Sequence, residues 1–249
     1  MEMGQLVDAL VNWLRNSVEE SGARGLVVGL SGGVDSAVVG ALARRACPDN
    51  TLALIMPCQS SPEDAADARL VAETFGLNYR IVSLDRVYEA LLASFLPGGG
   101  EGKPSAPGDL TRLAMANLKP RLRMLTIYFH ANLYNYLVAG TGNRSELTVG
   151  YFTKYGDGGV DLLPLGHLVK GEVRALAQYL GVPERIITKP PTAGLWAGQT
   201  DEGEMGLTYE ELDRYILTGE ADPAVRERIE SLNRRSEHKR HLPAVPNFH

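Results

Sequence analysis

The sequence predicts an α/β fold: a parallel sheet flanked by helices. Short apolar runs recur along the chain, each leading through a polar or glycine-marked turn into a helical pattern, which is the alternation that builds parallel sheets covered on both faces. The 249 residues suit one such domain with elaborations, and 44% apolar with 22% charged residues are ordinary values for a globular chain.

In chain order, Met1 to Val18 has a helical spacing of Leu6, Leu10, Trp13 and Leu14 interrupted by Asp8, Asn12 and Arg15, which fits an amphipathic helix and not a secretory signal. Gly25 to Leu30 reads as a strand, Ser31-Gly32-Gly33 as a turn, and Ser36 to Arg45 as a helix. Thr51 to Met56 is a second strand, followed by a polar start at Ser60 to Asp64 and a helix through Phe75. Tyr79 to Leu84 and Val138 to Thr141 are the third and fourth strand candidates, and Met124 to Leu137 is a long apolar helical stretch. Pro97 to Gly108, dense in glycine and proline, is expected to be a surface loop between two helices. Lys189 to Gly206 lacks periodicity yet carries Trp196, Gln199, Asp201 and Glu202, as a functional lid would.

A net charge of −5 argues against a protein built to wrap nucleic acid, which needs a cationic surface. No run is long and apolar enough to span a bilayer, and Cys47 and Cys58 are too few and wrongly spaced for a disulfide framework or a metal hook, which suits a cytoplasmic location. None of the five histidines shows metal-ligand spacing.

The most specific string is Ser31-Gly-Gly-Val-Asp-Ser36, placed where a strand hands over to a helix. There, backbone N–H groups and the positive helix end converge on one point that favours an anion. The glycines allow close backbone approach, Ser31 and Ser36 add hydroxyls, and Asp35 can hold magnesium beside phosphates. A serine-capped glycine turn is the plain alternative. The string lacks the Gly-Lys-Ser/Thr ending of one common phosphate loop and the three spaced glycines of the dinucleotide fingerprint.

It resembles the pyrophosphate-binding loop of the N-type ATP pyrophosphatases, which cleave ATP between the α and β phosphates. Four further strings resemble the NH3-dependent NAD synthetase family within that superfamily: Asn117-Leu-Lys-Pro-Arg121-Leu-Arg123-Met124, Gly140-Thr-Gly-Asn-Arg-Ser-Glu146, Thr153-Lys-Tyr-Gly-Asp157-Gly-Gly-Val-Asp161, and Lys189-Pro-Pro-Thr192-Ala-Gly-Leu-Trp196 through Gln199-Thr-Asp-Glu202. The tail His238-Lys239-Arg240 matches as well, so the resemblance covers nearly the whole chain. It implies a Rossmann-like, adenine nucleotide alpha hydrolase-like fold, a single domain over residues 1–249 without a glutaminase domain, and a ligase that amidates deamido-NAD with ammonia, using ATP as co-substrate, with Mg2+ as cofactor.

By this resemblance, Gly29, Leu30, Ser31, Gly32, Gly33, Val34, Asp35, Ser36, Thr141, Lys170 and Thr192 bind ATP. Arg121, Lys154, Asp161, His238 and Lys239 bind deamido-NAD; Asp35 and Glu146 hold the metal; Asp157 is the catalytic residue, near the reacting carboxylate, holding ammonium and accepting its proton. Each has a plainer reading: a solvated basic helix start for Asn117 to Arg123, an exposed loop carboxylate for Glu146, an exposed turn for Thr153 to Asp161, a helix-flanking lysine for Lys170, and a solvated tail for Arg234 to His241. The family also implies a homodimer with Met124 to Leu137 at or near the interface. Free ammonia is the expected nitrogen donor, which leaves room for a separate glutaminase partner. Two other readings stay open: another adenylating pyrophosphatase, against which stands the lack of sulfur-transfer cysteines or a basic tRNA-binding extension, and a nucleotide-binding regulatory module that has lost its chemistry.

Overall fold

The computed structural model describes residues 2–96, 109–196 and 198–246. The loop expected over Pro97 to Gly108 lies outside them.

Four parallel strands form one sheet in the order β3-β2-β1-β4: β1 Gly25–Gly29, β2 Thr51–Ile55, β3 Asn78–Ile81 and β4 Tyr136–Val138. Alternation along the strands divides the core. Leu26 and Val28 of β1 with Ala53 and Ile55 of β2 face α1 (Met3–Glu20), α2 (Val34–Ala46) and α7 (Lys170–Leu180). Val27, Leu52 and Leu54 point the other way, toward α4 (Asp85–Phe95) and α5 (Asp109–Tyr134). Both faces are therefore dry, and each fully buried leucine contributes about 2 kcal/mol of apolar transfer.

The remaining helices complete the shell. Pro62–Thr74 forms α3, whose first turn is capped by the Ser61 hydroxyl accepting from the Glu63 amide and which carries proline at its start. Next come α6 (Arg144–Val149), α8 (Glu184–Ile187), α9 (Asp201–Met205), α10 (Tyr209–Thr218) and α11 (Pro223–Ser236), followed by a 3-10 turn, Glu237–Lys239. Met205, Leu207, Tyr209, Leu212 and Ile229 bury against Val149 in a smaller cluster that ties these last helices to α6.

Four expectations are corrected. Asn117 to Arg123 is not a helix start: α5 begins at Asp109 and runs through Pro120, which lacks an N–H and so leaves the carbonyl one turn earlier without its helical donor. The same helix ends at Tyr134, short of Leu137, because Asn135 turns into the left-handed region at φ 56° and its side-chain amide donates to the Gly22 carbonyl. The fourth strand consequently lies at Tyr136–Val138, and Ala139 only bridges to Leu162 beyond it. Finally, Lys189 to Gly206 is not irregular throughout, since Thr200 caps the short α9 by accepting from the Gly203 amide.

Candidate active site

The carboxyl ends of β1, β2 and β4 open into a cavity of about 660 Å³, where open parallel sheets commonly bind ligands. Gly29 to Ser31 and Gly33 to Ser36 line it at one end, and Asp157, His238 and Lys239 line it at the other.

The phosphate loop is braced by its own side chains. Ser36 donates its hydroxyl to the Gly33 carbonyl at 2.9 Å and accepts from the Ser31 amide at 3.2 Å, while the Ser31 hydroxyl takes the Gly33 amide at 3.2 Å. Gly33 then precedes α2, whose first amides have no partner within the helix. Gly32 does not line the cavity. It packs against α3 with φ +82°, and a Cβ there would stand 2.5 Å from the Asp64 carbonyl, so the loop can lie on that helix only with glycine.

Lys170 opens α7, where Asp213 of α10 fixes the helix end by accepting from the Gly171 amide and from Ser145, whose hydroxyl also receives the Lys170 amide. Its ammonium lies 2.5 Å from Asp35 Oδ2 and 3.4 Å from Glu146 Oε1. Glu146 is thus no exposed loop carboxylate. It stands in the first turn of α6, where Oε2 accepts from the Asn143 amide and the Asn143 side chain accepts from the Glu146 amide. Burial, reinforced by the like charge of Asp35, pushes the Glu146 carboxyl up to about 8 against the pull of Lys170. Burial alone would lower the Lys170 ammonium, but Asp35 and Glu146 outweigh it and hold its pKa above the usual lysine range.

Asn143 also donates to Asp35 Oδ1 at 2.9 Å, and Asp201, 4% exposed, receives the Tyr209 hydroxyl on Oδ2 while its Oδ1 has no hydrogen-bond partner. Neither role was read from the sequence. The Asn-x-x-Glu capping spacing was a usable signal for Asn143, whereas Asp201 meets this site only through the fold. Asp35, Glu146 and Asp201 surround one ammonium, a surplus of two carboxyl groups over bases. Hard oxygen donors with such a surplus fit a divalent cation. Among the described residues no three acidic, histidine or cysteine side chains are close enough to cage an ion alone.

At the other end, Asp157 accepts from the Thr153 amide at 2.9 Å. Its side chain is exposed, yet the protein packed around it raises its pKa by desolvation, the largest effect, against the Thr153 bond, Lys239 and Arg123. Lys154 donates to the His238 carbonyl at 2.5 Å, Arg121 donates to the Lys154 carbonyl at 3.4 Å, and Lys239 donates to the carbonyls of Gly150 and Phe152. Lys239 therefore docks the tail on the cavity wall, while Arg234, Arg235, His238 and His241 stay exposed. Thr141 and Thr192 line the cavity too, but Asp161 does not. Its carboxylate instead accepts from Tyr128 at 2.9 Å and from the Val138 amide at 2.8 Å, bracing β4. Arg123 lines the wall with its guanidinium on the Met56 carbonyl and the Ser60 hydroxyl.

Comparisons with known proteins identify the family. The chain is 55% identical to an NH(3)-dependent NAD(+) synthetase of Carboxydothermus hydrogenoformans over 96% of each chain. Among solved structures, an NMN synthetase from Francisella tularensis superposes with a TM-score of 0.91 at 41% identity and full coverage of both chains. An NH3-dependent NAD synthetase from Campylobacter jejuni follows with a TM-score of 0.78 at 30% identity, covering 99% of this chain and all of that one. Residues 6–243 match the NAD synthase family, and the chain belongs to that family.

Proposed function

We propose that the protein amidates nicotinic acid adenine dinucleotide with ammonia, consuming ATP and releasing NAD, AMP and pyrophosphate, as the last step of NAD biosynthesis. The observation that carries this reading is the single cavity joining the phosphate loop to Asp157, which lets one chain hold ATP and a carboxylate substrate in line.

A carboxylate cannot expel oxide, so the substrate oxygen attacks the α-phosphate and forms an acyl adenylate whose leaving group is AMP. Ammonia then displaces AMP. The loop amides and Lys170 take up charge as pyrophosphate leaves. Magnesium, held by Asp35 and Glu146, supplies charge neutralisation at the phosphates when bound. Arg121, Lys154, His238 and Lys239 position the dinucleotide, and Asp161 supports that wall through β4. Asp157 orients ammonium and accepts its proton, a task suited to a carboxyl of raised pKa. The stretch from Lys189 to Gln199, with Thr192 on the cavity, excludes water from the adenylate.

Ammonia is taken as the donor because relatives of matching length carry that dependence in their names. We assign the reaction to the cytoplasm, a reading that the two free cysteines support. A homodimer is supported by the exposed stripe Leu125, Phe129 and Leu133 at four-residue spacing along α5, each about 60% accessible.

The solved NMN synthetase raises one competing substrate, the mononucleotide. Comparing kcat/KM for the nicotinate mononucleotide and dinucleotide decides between them. The dinucleotide reading expects a preference for the dinucleotide of at least about tenfold, the reverse would replace it, and carboxylate 18O appearing in AMP would report the adenylate.

A further inference from the structure

Lys189 has no role among the functions assigned above, yet it lines the cavity at the start of the Pro190-Pro191-Thr192 segment. Its ammonium lies 2.8 Å from Asp64 Oδ1 and 2.7 Å from Asp67 Oδ2, and the other Asp67 oxygen accepts from the Arg185 guanidinium. Asp64 and Asp67 are the residues against which Gly32 packs: a Cβ on Gly32 would stand 2.5 Å from the Asp64 carbonyl and 2.9 Å from the Asp67 Cβ. A Cβ on Gly194, in the lid, would stand 3.9 Å from Asp64 Oδ2. The first turns of α3 thus touch the phosphate loop on one side and the lid on the other, and Lys189 lies between.

Two acids and two bases make this cluster neutral while the loop is empty. A triphosphate in the loop adds several negative charges on the far side of Gly32. Besides Lys170, which acts from the side of Asp35 and Glu146, the basic side chains of Arg121, Arg123, Lys154 and Lys239 on the cavity are bonded elsewhere: Arg123 to Met56 and Ser60, Arg121 to the Lys154 carbonyl, and Lys154 and Lys239 to carbonyls of the wall near Asp157. Lys189 is the base whose long, rotatable stem carries its charge from a neighbouring carboxylate to the phosphates. Asp67 keeps Arg185 as its partner when the lysine departs.

We propose that Lys189 is a phosphate-binding residue of this site, held on Asp64 and Asp67 while the loop is empty and moving from Asp64 onto the β and γ phosphates of ATP, and then onto the pyrophosphate they become. Asp64 is its positioning residue. The inference rests on the ATP-consuming reading and adds to it the group that follows the leaving pyrophosphate as the lid closes.

The test is calorimetric binding of magnesium pyrophosphate to the full chain without dinucleotide, on the wild type, Lys189→Met, Lys189→Arg, Asp64→Asn and the double variant Asp64→Asn/Lys189→Met, with thermal melts to establish folding. Lys189→Met should weaken binding about tenfold or more, the worth of one charge-assisted hydrogen bond, and Lys189→Arg should keep most of it. Asp64→Asn should tighten binding several-fold by freeing the lysine, and that gain should vanish in the double variant. A folded Lys189→Met that binds like the wild type overturns the proposal, as does an Asp64→Asn gain of equal size with and without Lys189, which would mark simple removal of a repelling charge. If Lys189→Met does not fold, Asp64→Asn decides: an affinity no tighter than the wild type's overturns the proposal. Wild-type protein that binds neither pyrophosphate nor ATP would instead remove the ATP reading, and this inference with it.

Discussion

The Lys170 ammonium and the Asp35 carboxylate meet at 2.5 Å across 135 positions of sequence, joining the first turn of α7 to the first turn of α2. Lys170 is 3% exposed and its removal strands two carboxylates in a largely buried site. Lys170→Met is therefore expected to cost about 3–5 kcal/mol of stability, part of it recovered by millimolar Mg2+. Thermal melts with and without Mg2+ check this, and an unchanged melting temperature would show that the pair carries no strain of this kind.

Asp67 is 7% exposed beneath two cations. Burial is its largest single influence and would raise its pKa, but the bonds from Lys189 and Arg185 together hold it below the ordinary value. A depressed folded pKa gives stability that is full above the unfolded value, near pH 4, and is lost as pH falls through the folded one. Asp67→Asn should cost about 2 kcal/mol at pH 7 and almost nothing near pH 2, as urea titrations at both pH values would report.

Asp157→Asn should leave the fold intact, because an amide oxygen can still accept from the Thr153 amide. It should raise the KM for ammonium about tenfold or more while dinucleotide-dependent pyrophosphate release continues. In the wild type, ammonium use should weaken as pH falls through the raised Asp157 pKa, since the carboxyl then takes a proton and loses its charge. Equal losses in both half-reactions would place Asp157 at the adenylation step instead.

On α5, Phe129→Glu puts a charge in the centre of the exposed stripe. Sedimentation at micromolar concentration should change from dimer to monomer, and a wild type that is already monomeric contradicts the homodimer.

How far the sequence was legible follows from where each interaction lies. The turn from β1 into α2 could be read because apolar run, glycines and serines are contiguous, and the start of α3 because Ser61-Pro62 is a local cap. The extent of α5 could not, since Pro120 is tolerated inside a helix whose packing against β1 and β4 outweighs one missing bond. The strand after it was shifted by Asn135, whose left-handed turn leaves no periodicity to read. At the site, family strings led to Asp35, Glu146 and Lys170, but Lys189 reaches Asp64 over 125 positions and Asp201 reaches Glu146 only through the shared Tyr209 hydroxyl. Such pairings are properties of the fold and are silent in a single sequence.

The central claim is tested most directly by incubating purified protein with ATP, Mg2+, deamido-NAD and either ammonium or glutamine, and following NAD, AMP and pyrophosphate. NAD and AMP formed in equal amounts with ammonium alone is the predicted result; no dinucleotide-dependent release of pyrophosphate would contradict it.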